Sequence, residues 1–348
     1  MRLLVVKMSS FGDVVHTFPA LTDLRAARPD VEVDWLVEEG FADMAAAHPT
    51  VRAVHRVALR RLRWPPTRWP ALIAHRASLK HALRARRYDM VVDLQGLVKS
   101  AVMAKLAGVP VTGIAPASAR EPASARFYAR TFPLVDQPHA VEKLRHLLAD
   151  AVGYAVPAGK GKAGLTVPDM PLLVPEEYGI VVPSTSWPSK LWAEESWRRL
   201  IIELSSAGRK LIIPWGGERE EERARHLSAG LAGAEALSRR MTGAELMRLV
   251  GGARFAIGVD TGLMQLAAAY GVPGVTLFGP TDPARTAPYG ESQHIVRSTG
   301  AFAPCLQEEC THGPDKARCM DGVSYEAVRA EVDAMLAGLP VQAPPPPA

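Results

Sequence analysis

Asp13 ends the run Ser9-Ser10-Phe11-Gly12-Asp13, which follows an apolar segment and opens a helical pattern. Serine and glycine permit a tight loop with free backbone amides. An aspartate there has two uses. It can accept hydrogen bonds from the orphan amides of the first helical turn. It can also be a general base, since the positive end of a helix favours the ionised form that takes a proton. Spacing alone leaves both open. No G-x-G-x-x-G follows this first strand, so the dinucleotide fingerprint is absent there.

Two later runs carry phosphate-type chemistry. Pro183-Ser184-Thr185-Ser186-Trp187-Pro188-Ser189-Lys190 places hydroxyls and an ammonium between a strand and a helix. That suits a diphosphate, or it is a solvated surface loop. Val259-Asp260-Thr261-Gly262-Leu263-Met264-Gln265 also joins strand to helix. Thr261 and Gly262 can offer amides to phosphate oxygens, with Asp260 holding Thr261 or Lys190, or the acid merely caps. Phe278-Gly279-Pro280-Thr281-Asp282-Pro283 is a turn after a strand that would shape the same region. Cys305, Cys310, His312 and Cys319 could ligate zinc, but they form no C-x-x-C pair. Free, partly buried thiols and no metal are the expectation.

Such loops need rigid elements beneath them. Short apolar runs at Leu3–Val6, Val31–Val37, Met90–Asp93 and Val111–Ile114 alternate with helical patterns at Val14–Ala27, Ala71–Arg87, Leu97–Leu106 and His139–Val152. The alternation resumes with strands at Tyr178–Val182, Lys210–Pro214, Phe255–Val259 and Val275–Phe278, separated by helices at Glu194–Ser206, Arg219–Leu231, Gly243–Val250 and Leu263–Tyr270. This is the pattern of βαβ units on mostly parallel sheets, an α/β fold in two similar halves. Tyr154–Pro168, rich in Gly, Lys, Ala and Pro, looks like a linker or a short edge segment. The expected division is 1–165, 166–322, a terminal helix over 323–338 and a disordered proline-rich tail over 339–348. In open parallel sheets, ligands sit beyond the carboxyl ends of the strands, which is where the three loops fall.

The charge is uneven. Of 41 lysines and arginines, eleven lie between Met44 and Tyr88, where there is no Asp or Glu; elsewhere 30 basic residues face 36 acidic ones. A local excess of this kind points to an acidic partner. Arg60, Arg61 and Arg63 fall in a strand-to-loop segment, with Trp64 and Trp69 interleaved. Nucleic acid, an anionic glycolipid at a membrane surface and a solvated helix face all fit. No apolar run is long enough to span a bilayer, and three cysteines do not make a disulfide framework. A reducing cytoplasm is the simplest location.

From Met1 to about Leu336 the chain resembles the lipopolysaccharide heptosyltransferases of glycosyltransferase family 9. The resemblance rests on seven segments in order: Val6–Thr17, Asp34–Phe41, Asp93–Ser100, Ala119–Pro122, His139–Glu142, Pro214–Gly216 and Val259–Leu263. It implies a GT-B fold, with two Rossmann-like domains facing across a cleft. It implies inverting transfer of L-glycero-D-manno-heptose from ADP-heptose to the first Kdo of Kdo-lipid A, with no cofactor and no catalytic metal. It makes Asp13 the base, with Ser10 and Gly12 beside it at the acceptor. Lys190 would act on the donor phosphates with Thr185 and Ser186, and Asp260, Thr261 and Gly262 would contact diphosphate and heptose. Glu220 and Met241 would hold the adenosine. Arg60, Arg61, Arg63, Lys99 and Arg120 would meet the acidic acceptor. The partners implied are ADP-heptose, Kdo-lipid A and the cytoplasmic face of the inner membrane, not nucleic acid. The chain departs from the resemblance at Gln265, where a member of the family has a histidine, so no acid–base role passes to it. It departs again at Trp187-Pro188-Ser189, where acids usually precede the lysine. The alternatives are a sibling transferase adding a second heptose or using another nucleotide sugar, and a non-catalytic protein binding an anionic surface or nucleic acid.

Overall fold

The computed structural model describes residues 1–62, 66–171, 174, 177–311 and 318–339. Arg63, His312 and the tail from Pro340 onward lie outside the described residues. Two compact units emerge: Met1–Pro171 with Met241–Gly251, and Leu172–Arg240 with Gly252–Ala348.

The first unit is built on β1 (Arg2–Val6), β2 (Glu32–Glu38), β3 (Val51–Val57), β4 (Met90–Asp93), β5 (Val111–Ile114) and β6 (Arg130–Phe132). All pair in parallel, in the order β3-β2-β1-β4-β5-β6. Leu3, Leu4, Val5 and Val6 are wholly buried. Their continuous apolar run fits a central strand covered on both faces. The edge strands were not anticipated from the sequence. Val51–Val57 alternates apolar and basic residues and is mostly half-exposed, so it lacks the signature of an inner strand.

The segment Tyr154–Pro168, which leads to the end of this unit, is laid against it. Arg145, 2 % exposed, donates to the carbonyls of Pro157 and Gly159 and pairs with Asp23 at 2.6 Å and Glu142 at 3.0 Å. Thr22 Oγ1 donates to the Ala163 carbonyl. A buried guanidinium has five donors to satisfy, and the strap supplies two of its acceptors. That holds an aperiodic chain in place without a helix or strand.

The second unit repeats the plan. Its strands are β7 (Tyr178–Val182), β8 (Lys210–Ile213), β9 (Ala234–Ala236), β10 (Phe255–Val259), β11 (Gly274–Phe278) and β12 (Gln293–Arg297). Their order, β12-β11-β10-β7-β8-β9, is that of the first sheet when counted from β7. Trp197, Leu200, Ile201 and Leu204 bury one face of the helix Glu194–Ser206 in its core. The terminal helix Tyr325–Ala337, capped by Ser324, adds Val328, Val332 and Met335 to the same cluster. It therefore belongs to this unit.

In both sheets the strand order reverses once, between β1 and β4 and between β7 and β10. A reversal leaves a crevice at the carboxyl ends of the two strands, because their connections leave in opposite directions. The loops after β1 and β4, and those after β7 and β10, are thus the places to look. Among the described residues, no helix is long and apolar enough to cross a membrane.

Candidate functional site

In the first unit, Asp13 sits in the helix Phe11–Val15, three residues past its N-cap Ser10. Its Oδ2 accepts from both the amide and the hydroxyl of Ser10, each at 2.8 Å. This is the acidic member of a capping box, not the N-cap itself. Its Oδ1 lies 3.4 Å from Lys7 Nζ. Burial pushes this carboxyl up, but the Lys7 ammonium, the Ser10 amide and hydroxyl and nearby His16 outweigh it and hold the group at about 2. Asp13 is therefore ionised at neutral pH. Its side chain remains 44 % exposed, whereas that of Lys7 is 8 % exposed. The carboxylate is open to a reactant while its counter-charge is hidden beneath it.

The loop after β4 fixes this arrangement. Asp93 is fully buried and accepts from Ser100 Oγ, Tyr128 OH and the Gln95 amide, at 2.7, 2.7 and 2.8 Å. Burial pushes its carboxyl up, against those hydrogen bonds. Gln95 then accepts from the Met8 amide and donates to the Ser9 carbonyl, at 2.7 and 2.9 Å. Lys7 Nζ also donates to the Leu94 carbonyl. The two switch-point loops are thus tied to each other beside Asp13. Sequence reasoning gave Lys7, Asp93 and Gln95 no role. The signal available was their position at the ends of adjacent inner strands.

Of the expected acceptor residues, Ser10 and Gly12 lie in the same loop as Asp13. Lys99, in the helix Val98–Ala104, and Arg120 are exposed, and neither has an ion-pair partner among the described residues. Arg61 is already bound: its Nε lies 2.7 Å from Glu39 Oε1. Arg60 and Arg61 fall in a short helix, Leu59–Leu62, and not in a strand-to-loop segment. Arg63 is outside the described residues.

In the second unit, the loop after β7 brings Lys190 to the loop after β10. Lys190 Nζ lies 2.7 Å from Asp260 Oδ2, with side chains 13 % and 7 % exposed. Thr281, in the turn after β11, donates to the same oxygen at 2.8 Å. Of the two partners open to Asp260, it holds Lys190. Lys190 also stands 4.8 Å over the Trp187 ring, whose π face offers negative potential where an acid would. This gives a physical account of the unusual residues before the lysine. Ser189 anchors the loop by donating from Oγ to the Gln307 carbonyl at 2.7 Å.

Thr261 caps the helix Gly262–Ala269, and its hydroxyl is buried with no hydrogen-bond partner among the described residues. A buried unpaired hydroxyl beside the positive end of a helix fits an anionic oxygen. Thr185 is half-buried and Ser186 exposed. Glu220 accepts from the Gly216 amide at 2.7 Å, closing the start of the helix Glu218–Ser228. Met241 is half-buried and heads the segment that groups with the first unit. Gln265 is buried and donates to the Thr286 carbonyl at 2.6 Å, a structural tie. The three cysteines are free. Among the described residues no three His, Cys, Asp or Glu side chains are placed to hold a metal ion.

Residues 76–315 match the model of glycosyltransferase family 9 (heptosyltransferase). Lipopolysaccharide heptosyltransferase 1 of Pseudomonas aeruginosa is 40% identical, over 97% of this chain and 98% of its own. The solved structure of E. coli heptosyltransferase WaaC with ADP superposes with a TM-score of 0.83 at 37% identity, covering 96% of this chain and all of the other. The same enzyme with ADP-2-deoxy-2-fluoro heptose gives 0.81 at the same identity, covering 96% of this chain and 99% of the other. Lipopolysaccharide heptosyltransferase 2 of E. coli K12 is 21% identical over 97% of this chain and 99% of its own. These likenesses span both sheets and both pairs of loops. The chain belongs to glycosyltransferase family 9, the heptosyltransferases, and its fold is of the GT-B type.

Proposed function

We propose that this glycosyltransferase moves L-glycero-D-manno-heptose from ADP-heptose to the first Kdo of Kdo-lipid A, inverting the anomeric centre in one displacement. The first unit supplies the base and the second the donor contacts. Asp13 takes the proton of the Kdo hydroxyl as that oxygen attacks the anomeric carbon. A carboxylate held near 2 is a weak base toward a free alcohol. It suffices if the proton moves late, because an oxygen already bonding to carbon is far more acidic. The C–O bond to ADP breaks in the same step. Lys190 and the Thr261–Gly262 helix start, fixed charges aimed at the departing phosphate, stabilise the leaving group. They supply locally what a divalent cation would otherwise provide, so the transfer runs without a resident metal. Chelation by EDTA should leave turnover unchanged.

The observation that carries this reading is the Lys190–Asp260–Thr281 cluster, together with the unpaired Thr261 hydroxyl beside it at one switch point. A solvated surface loop would not bury its lysine on an aspartate. The choice of first over second heptose rests on identity, 40% to one relative against 21% to the other. A lipid-borne acceptor is what supports reading the enzyme as peripheral, on the cytoplasmic face of the inner membrane. The test is turnover of ADP-heptose with Kdo-lipid A, compared with an acceptor that already carries one heptose. Preference for the heptosylated acceptor would overturn the assignment.

A further inference from the structure

The eleven basic residues between Met44 and Tyr88 do not share one fate. Four are paired with acids that lie just outside that stretch: Arg52 with Glu32, Arg56 with Asp43, Arg61 with Glu39 and Arg86 with Asp34. The helix Trp69–Ala85 is different. It carries no acid, and Arg76, Lys80 and Arg84 form no ion pair with any described residue. Only Leu79 and Leu83 are buried. Two large apolar side chains are more than half exposed, Trp69 at 55% and Ile73 at 69%.

Their spacing matters. Positions 69, 73, 76, 80 and 84 recur every three or four residues, so they share one stripe of the helix. Apolar anchors occupy its first two turns and cations its later turns, while much of the remaining exposed surface is alanine. An exposed apolar residue alone needs no explanation. Two of them on one stripe with unpaired cations form the interfacial pattern, in which an aromatic and an aliphatic side chain enter the headgroup boundary and cations meet anionic lipid.

We propose that the helix Trp69–Ala85 docks this protein on a bilayer surface rich in anionic phospholipid, through Trp69 and Ile73 and the cations Arg76, Lys80 and Arg84. The proposal deepens the reading of a lipid-borne acceptor, and its test separates the two. The full chain is sedimented with vesicles of phosphatidylcholine containing phosphatidylglycerol, and with pure phosphatidylcholine, without any acceptor present. Arg76→Gln with Lys80→Gln should weaken binding to the anionic vesicles by about 25-fold, at roughly fivefold per cation. Trp69→Ser with Ile73→Ser should abolish the blue shift of tryptophan emission on vesicle addition and weaken binding in high salt most. Neither pair disturbs Leu79 or Leu83, so the helix stays seated, which circular dichroism checks. With a soluble acceptor stripped of its acyl chains, turnover by both variants should match the parent. Loss of that turnover in the parent protein would count against the heptosyl-transfer reading alone. Undiminished vesicle binding by both pairs would overturn the docking proposal. So would equal binding to neutral vesicles, or an apolar stripe that proves to bury itself in a dimer dispersed by Trp69→Ser with Ile73→Ser.

Discussion

Asp13→Asn separates a base from a helix cap. The substitution is nearly isosteric, and the amide oxygen can still accept from the Ser10 amide and hydroxyl that now bind Oδ2 at 2.8 Å. The capping box therefore survives. What disappears is the charge and the capacity to take a proton. The pairing with Lys7 at 3.4 Å involves a carboxylate 44 % exposed, and an ion pair that solvated contributes no more than about 1 kcal/mol. The melting temperature should thus barely move. Turnover should fall by ~10²–10⁴, the worth of a positioned base. That corresponds to roughly 3–5 kcal/mol in the barrier, at about 1.4 kcal/mol per decade. ADP-heptose affinity, which the proposed function assigns to the second unit, should stay at the parent value. The assay is steady-state release of ADP with Kdo-lipid A, alongside calorimetric titration of ADP-heptose. Parent-like turnover would show that Asp13 only caps its helix, and the mechanism would need another base.

Further perturbations test the neighbours of that group. Lys7→Met removes a charge 3.4 Å from the carboxylate; screened at the surface this is about 1 kcal/mol, so the acid limb of kcat/KM should climb by somewhat less than about one pH unit. An unmoved limb would remove Lys7 from the account. Asp13 is held at about 2 when folded against 3.8 for the ordinary group, so its stabilising contribution is complete above pH 3.8 and is lost as pH falls toward 2. Acid unfolding of Asp13→Asn should lack that component. Lys190→Ala should weaken ADP binding by at least about tenfold, as expected for loss of a charge-assisted contact, and an unchanged titration would refute the role. Arg145→Met strands Asp23 in the interior and should cost about 3–5 kcal/mol in denaturant unfolding, with ADP affinity unaffected.

Periodicity made the inner strands legible. Leu3–Val6, Met90–Val92, Ile180–Val182 and Phe255–Val259 are apolar runs because helices cover both faces of each sheet. The strands that escaped notice, β3, β6, β9 and β12, are the four outer ones. Arg130–Phe132 and Ala234–Ala236 are three residues each, too short for any period to register, and Val51–Val57 mixes cations into its exposed side. For Tyr154–Pro168 the sequence leaves a linker and a short edge segment both open, because nothing local reveals that Arg145 reaches its carbonyls. Composition likewise overstated the basic stretch. Glu39 lies 22 residues before the Arg61 it neutralises, so a window without acids is no guarantee of an unpaired charge.

The site follows the same logic. Asp13, Lys190 and the Thr261–Gly262 pair could be chosen from sequence because each follows an apolar strand and opens a helix. Their partners could not, since Lys7, Gln95 and Thr281 become neighbours only once the strand order is known. The repeated order explains why two unrelated loops acquire comparable precision. In the first unit the β4 loop clamps the β1 loop through Gln95; in the second the β10 loop clamps the β7 lysine through Asp260. A clamp from an adjacent strand costs no extra chain entropy, because the sheet has already ordered both ends. The same device serves opposite electrostatic ends. In the first unit a buried cation holds an exposed carboxylate ionised, ready to receive a proton. In the second, a buried carboxylate orients the ammonium that a diphosphate would meet. Exchanging the signs within either ion pair, Lys7–Asp13 or Lys190–Asp260, should therefore abolish function while leaving the strands that build it intact.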